Sequence, residues 1–178
     1  MKCVIAHGCA NDSDDHDYNK HWMPRLKKEL NLKNIEVEIP VMPSSWQPDY
    51  EKFKNEFEKY AIDENTVLVG HSCGCAFLVR WLGETEKRVS KLILVAPWNI
   101  NISEGNVYKE KFYTYPIDKD IQNRVDKITM FTSDNEKEAG KESLKIFHKA
   151  IGGKIIELKS RGHYRIQEFP ELLKIILE

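Results

Sequence analysis

This chain of 178 residues has no long apolar run and no excess of charge of either sign. Nothing in it approaches the roughly 20 apolar residues that a membrane-crossing helix needs, so no membrane role is expected. Its 27 basic and 28 acidic side chains leave a net charge of −1, which gives no electrostatic reason to expect a nucleic-acid partner. Lysines alternate with glutamates in KKEL, EKFKNEFEKY and EKEAGKE, the pattern of solvated helix faces rather than of a basic patch. The opening MKCVIAHG reads as a short strand followed by glycine, not as the long apolar core of a secretion signal, so the expected location is the cytoplasm. Internal repeats and low-complexity segments are lacking as well. Cysteine is sparse: Cys3, Cys9, Cys73 and Cys75 lack zinc-finger spacing, and reducing compartments rarely keep disulfides. They read as small apolar fillers near tight turns, although Cys9 and Cys73 would meet if two strand ends lay side by side.

Branched and apolar residues are present in short runs that alternate with helical patterns. Residues 2–6, 35–39, 66–70, 91–96, 127–132 and 154–159 predict strands. Helical spacing puts Trp22, Leu26 and Leu30 on one face, then Tyr50, Phe53, Phe57 and Tyr60, and later Leu144, Phe147 and Ile151. Residues 73–82 are apolar nearly all round, as in a helix buried mid-domain, and Pro170 opens a last helix. Alternating strands and helices predict a single domain over 1–178, an α/β three-layer sandwich with a six-stranded parallel sheet covered on both faces. Working residues of such sheets sit in loops beyond the carboxyl ends of the strands. Segment 97–126 has weak periodicity and is expected to cross over the site as a partial lid.

Three candidates occupy those loops. Gly70-His71-Ser72-Cys73-Gly74 fits G-x-S-x-G with a strand before and a helix after, the setting in which a serine is raised on a sharp turn above the sheet. A serine hydroxyl needs a base held by a third group. Acids follow at Asp134 and Glu136, and His163 comes after the last strand, which is the order serine, acid, histidine expected for this fold. Two backbone N–H groups must hold the oxyanion: Cys73, after the serine, and one from His7-Gly8-Cys9-Ala10, taken at Cys9. His71 is assigned to structural support. Trp98, just past the fourth strand, is the best candidate for a substrate pocket.

As a set, HG after the first strand, Trp22 and Pro24 entering the first helix, GHSCG, LVAPW, the TSDNE loop and GHY resemble the small serine hydrolases related to retinoblastoma-binding protein 9. The resemblance spans essentially the whole chain. It implies a compact α/β-hydrolase fold, a Ser-acid-His triad and hydrolysis of esters or amides, with no cofactor. Two departures stand out. The loop after the first strand, HGCANDSDDHDYNKHW, is longer and more acidic than the family's glycine-rich loop. Laid onto Ser133-Asp134-Asn135-Glu136, the family's acid position falls on Glu136, with Asp134 as the competitor closer to the strand end, and Lys137 stands where proline is common.

The acidic residues Asp12, Asp14, Asp15 and Asp17 with Asn11 lack the glycine and closing glutamate of a calcium loop, and a solvated loop is the simpler reading. Flanking the site, it would favour cationic substrates over anionic ones. The leading expectation is a serine hydrolase acting on small-molecule esters, amides or short peptides. A binding protein that retains the fold with little turnover is the alternative, and a metal or redox site at Cys9, Cys73 and Cys75 a distant third.

Overall fold

Branched residues favour extended backbone where both faces of a strand are covered, and the runs within 2–6, 66–70 and 91–96 follow that rule. The computed structural model describes residues 1–13, 17–102 and 105–178, apart from the side chain of Asp17. The strands are β1 (Lys2–Ala6), β2 (Glu36–Glu38), β3 (Thr66–His71), β4 (Val89–Val95), β5 (Val125–Ser133) and β6 (Lys154–Leu158). They form one parallel sheet in the order β2-β1-β3-β4-β5-β6. β3 is buried at every residue, as an inner parallel strand requires, whereas β6 at the edge is mostly exposed. β2 is only three residues long, shorter than the run at 35–39 predicts.

Side chains alternate between two cores, because successive residues of a strand point to opposite faces. Val4 and Ala6 of β1 pack on one side with Leu68 of β3. Cys3, Ile5, Val67 and Val69 pack on the other. The first face is covered by α2 (Tyr50–Phe57), α3 (Cys73–Thr85), α4 (Val107–Tyr113), the short α5 (Ile121–Arg124) and α6 (Glu138–Ile151). The second is covered by α1 (Met23–Asn31) and α7 (Pro170–Leu177). The predicted helix faces are those that go inward, except that α2 stops at Phe57 and Tyr60 lies beyond it, half-buried. α3 is buried nearly all round. Among the described residues, no helix is long and apolar enough to cross a membrane.

Register aligns the carboxyl ends of the strands. Ala6 pairs with Gly70, His71 with Val95, Val95 with Phe131 and Ser133 with Leu158. The loops that follow β1, β3, β5 and β6 therefore share one rim of the sheet, where ligands bind in open parallel sheets. Segment 97–126 is not one lid. Trp98 to Ile102 and α4 stand over that rim, while α5 packs back on α3 and β5.

Candidate active site

Ser72 sits at φ 53° and ψ −122°, a strained conformation for a side-chain-bearing residue. Both glycines of the motif are explained by close approach. A Cβ on Gly70 would lie 2.8 Å from the Cα of Cys75, and one on Gly74 would lie 2.1 Å from the carbonyl oxygen of Ala6. The turn is thus pressed between β1 and the first turn of α3. Ser72 N–H donates to Val95 O at 3.0 Å, which fixes the turn to β4.

The hydroxyl Oγ of Ser72 lies 2.8 Å from Nε2 of His163, and Nδ1 of His163 lies 2.9 Å from Oε2 of Glu136. With Nδ1–H donating to the carboxylate, Nε2 is left to accept from the serine, which is the tautomer a general base needs. The Glu136 side chain is 1% exposed, and its other oxygen accepts from the N–H of Lys137 at 2.8 Å. Burial alone would raise its pKa, but the hydrogen bond and charge of His163 hold it below the ordinary glutamate value. Burial lowers the pKa of His163 below 6.5; Glu136 opposes that shift, and the charges of His71 and Arg165 reinforce it.

Glu136, not Asp134, is the carboxylate that reaches the imidazole. Asp134 is exposed and accepts instead from the N–H of Ser160 at 2.7 Å, which holds its pKa down. It belongs to a clamp that was not legible from spacing. Asn135 Oδ1 accepts from Gly162 N–H at 2.8 Å, and Ser133 Oγ accepts from Arg161 N–H at 2.9 Å. Three consecutive residues, the last of β5 and the two after it, thereby hold the backbone of the loop that carries His163. Glutamate is one methylene longer than aspartate, and Gly140 provides the room: a Cβ there would lie 2.8 Å from Cγ of Glu136. That glycine in the first turn of α6 is the signal that sequence reasoning passed over.

His71 is buried, and its Nε2 lies 3.0 Å from the carbonyl oxygen of His163, so it steadies that loop from below. Trp98 stands edge-on to the His163 ring, with centroids 5.5 Å apart, and lines the cleft over Ser72. His7 does more than open the loop motif after β1. Its Nε2 accepts from Met42 N–H at 3.0 Å, and Nδ1, therefore protonated, donates to Gly8 O at 2.7 Å. Together with Ala10 N–H donating to Ser45 Oγ at 3.3 Å, this fixes the loop after β1 beside Ser72.

The filler reading of Cys9 and Cys73 is overturned: the two form a disulfide, with Cα atoms 5.7 Å apart. Each lies three residues beyond a directly paired position, Cys9 beyond Ala6 and Cys73 beyond Gly70, so adjacent parallel strands deliver them to one point. That bond also removes two ligands from the metal reading, and Cys75 is buried with its thiol directed at Val95 O. Among the described residues no cluster of three or more metal-ligating side chains is present. Asp14 and Asp15 of the acidic stretch lie outside the described residues, as does the Asp17 side chain.

The cleft over Ser72 has a volume of about 470 Å³ and includes Cys9, Trp98, Tyr113 and His163. A larger groove of about 640 Å³ between Pro48, Arg80 and Phe112 holds none of these residues. Its arginine, Arg80, is engaged by Glu84 at 3.0 Å and by the Tyr50 ring, and its lining contains no serine, cysteine or histidine, so the smaller cleft is the one with a nucleophile and a base.

The serine hydrolase family model matches residues 3–172. The chain is 27% identical to the serine hydrolase RBBP9 of Rattus norvegicus over 146 residues, covering 81% of this chain and 74% of that protein. It is 34% identical to YdeN of Bacillus subtilis over 96 residues, a stretch that spans 52% of this chain and about half of YdeN, 48%. The crystal structure of YdeN superposes with a TM-score of 0.86 at 22% identity, covering 99% of this chain and 97% of that one. Est1E from Butyrivibrio proteoclasticus, at 13% identity, TM-score 0.67, and coverage of 98% and 84%, shares the fold. With its compact α/β-hydrolase sheet and a family match over nearly its whole length, this chain belongs to the small serine hydrolases of the RBBP9 type.

Proposed function

We propose that the protein is a carboxylesterase or amidase that works through an acyl-enzyme on Ser72. The observation that carries this reading is the unbroken hydrogen-bonded chain from Ser72 through His163 to Glu136, at 2.8 Å and 2.9 Å. Ser72 Oγ attacks the substrate carbonyl while His163 Nε2 takes its proton. Glu136 stabilises the imidazolium without accepting the proton, and is the triad acid in preference to Asp134. The tetrahedral oxyanion is held by the N–H of Cys73, which as the first residue of α3 has no partner within the helix, and by that of Cys9 across the disulfide. His163 then protonates the leaving group, and water, deprotonated in turn by His163, releases the acid and restores Ser72. Trp98 bounds the pocket for small-molecule esters, amides or short peptides.

A fluorophosphonate probe tests this. Folded protein should be labelled at Ser72, and Ser72→Ala should abolish labelling while leaving the melting temperature within a few degrees. Unlabelled folded protein would favour a binding protein that has kept the fold without the chemistry.

A further inference from the structure

Among the described residues, the charged side chains that line the cleft over Ser72 are of one sign. Lys109, Lys137 and Arg165 line it together with apolar Trp98, Ile100 and Tyr113, and the described lining contains no aspartate or glutamate. In a chain of net charge −1, this is a local concentration of cations. Lys137 and Arg165 belong to the loops that hold the hydrogen-bonded chain: Lys137 follows Glu136, and Arg165 lies two residues past His163. Both are exposed, and the carboxylates nearest them in sequence are engaged elsewhere. Glu138 pairs with Lys141 at 3.6 Å, Glu171 with Arg161 at 2.8 Å, Glu168 with Arg25, and Glu136 with His163. Arg165 lines the same cleft as His163, and its charge disfavours protonation of that imidazole. Asp12 and Glu110, next in sequence to the lining residues Asn11 and Lys109, are exposed and do not line it.

We propose that the cleft selects esters or thioesters that carry an anionic group, a carboxylate or phosphate, on an apolar chain, of which a monoester of a dicarboxylic acid is the simplest case. The inference rests on the serine hydrolase reading above. It has the opposite sign to the preference expected from the acidic stretch after β1. Clefts lined by one sign of charge focus the field and raise the local concentration of oppositely charged substrate. The apolar wall takes the chain, and the cations at the mouth take the anion. Hydrolysis consumes one water and yields an acid with an alcohol from an ester or a thiol from a thioester; the anionic group takes no part in bond making.

The test compares kcat/KM for the p-nitrophenyl monoester of adipate with that for p-nitrophenyl hexanoate, a neutral ester of equal chain length, with Ser72→Ala as the background. Adipate should be preferred about tenfold at low salt. The preference should shrink as salt shortens the Debye length from about 10 Å at 0.1 M to about 3 Å at 1 M. In the Lys137→Gln Arg165→Gln double variant, its fold confirmed by thermal melting, the adipate-to-hexanoate ratio should fall roughly tenfold. A second pair, p-carboxyphenyl hexanoate and its methyl ester, places the anion on the leaving group. Loss of preference in the double variant for the adipate pair and not for this one places the cations at the acyl end, and the reverse result overturns the inference. Equal turnover of adipate and hexanoate overturns the inference while leaving the hydrolase reading intact. So does a preference for a terminal trimethylammonium ester, or an adipate preference unchanged in the double variant. Turnover of none of these esters above background removes the hydrolase reading, and the inference falls with it.

Discussion

Glu136 is a carboxylate with almost no water around it, tied to one imidazole and one backbone N–H. Its proposed value to His163 is the negative charge it presents to Nδ1, so on that reading the isosteric Glu136→Gln keeps the shape and loses the function. The wrong tautomer of His163 is then favoured, and kcat should fall by on the order of 10⁴. Asp134→Asn keeps an acceptor for the N–H of Ser160 and should cost less than tenfold. Steady-state rates on p-nitrophenyl butyrate check the pair, and the reverse ranking would reassign the acid. Spacing alone left these two carboxylates nearly even, because it cannot tell which one points inward and which clamps a neighbouring loop. The pH profile belongs to the same residues. His163 acts as a base only when neutral, and its folded-state pKa lies below 6.5. Therefore kcat/KM should rise with pH through a midpoint under 6.5 and be level at neutrality. Arg165→Gln removes a cation that opposes protonation, so the midpoint should move up; a downward move would contradict the assigned cause.

At the scale of elements, the site is made by loops that the sheet brings to one rim, and by one helix that leaves room for them. Strands and helix faces were legible in the sequence because a buried parallel strand imposes an unbroken apolar run and an amphipathic helix a period, patterns seen at Val67 to Val69 and at Leu144, Phe147 and Ile151. Loop clamps impose none: nothing periodic marks Asn135 as the acceptor for Gly162, or Ser133 for Arg161. Gly140 was hidden for a related reason, since its contact is with a side chain from before its own helix. Helix propensity alone says that Gly140→Ala should stabilise α6 by about 1 kcal/mol. The contact says otherwise, because the new Cβ would lie 2.8 Å and 2.9 Å from Cγ and Cδ of a carboxylate that two hydrogen bonds hold in place. Overpacking of this kind costs roughly 1–3 kcal/mol. The contact should win: Gly140→Ala should lower both the melting temperature and kcat, with KM changed less than kcat. A more stable and equally active variant would show that Glu136 shifts freely.

For the whole molecule, the Cys9–Cys73 bond closes a loop across a sequence separation of 64 residues and joins the loop after β1 to the first turn of α3. Its presence and the expected cytoplasmic location pull in opposite directions, because reducing compartments keep thiols apart. Loop entropy alone assigns such a bond about 4 kcal/mol, a large fraction of the stability of a domain this size. It also fixes, relative to each other, the two backbone amides proposed to hold the oxyanion. Reduction by a dithiol should therefore have two separable effects. The melting temperature should fall by several degrees, and at temperatures well below melting kcat should fall while fluorophosphonate still reaches Ser72. Cys3 and Cys75 are buried thiols, and burial pushes that of Cys3 up to about 12, so neither competes for exchange in the native fold. Denatured, unreduced protein should then titrate as two thiols per chain and reduced protein as four. Four thiols without reductant would mean that the pair is open in the isolated protein. In that case the melting temperature and kcat should not respond to dithiol at all.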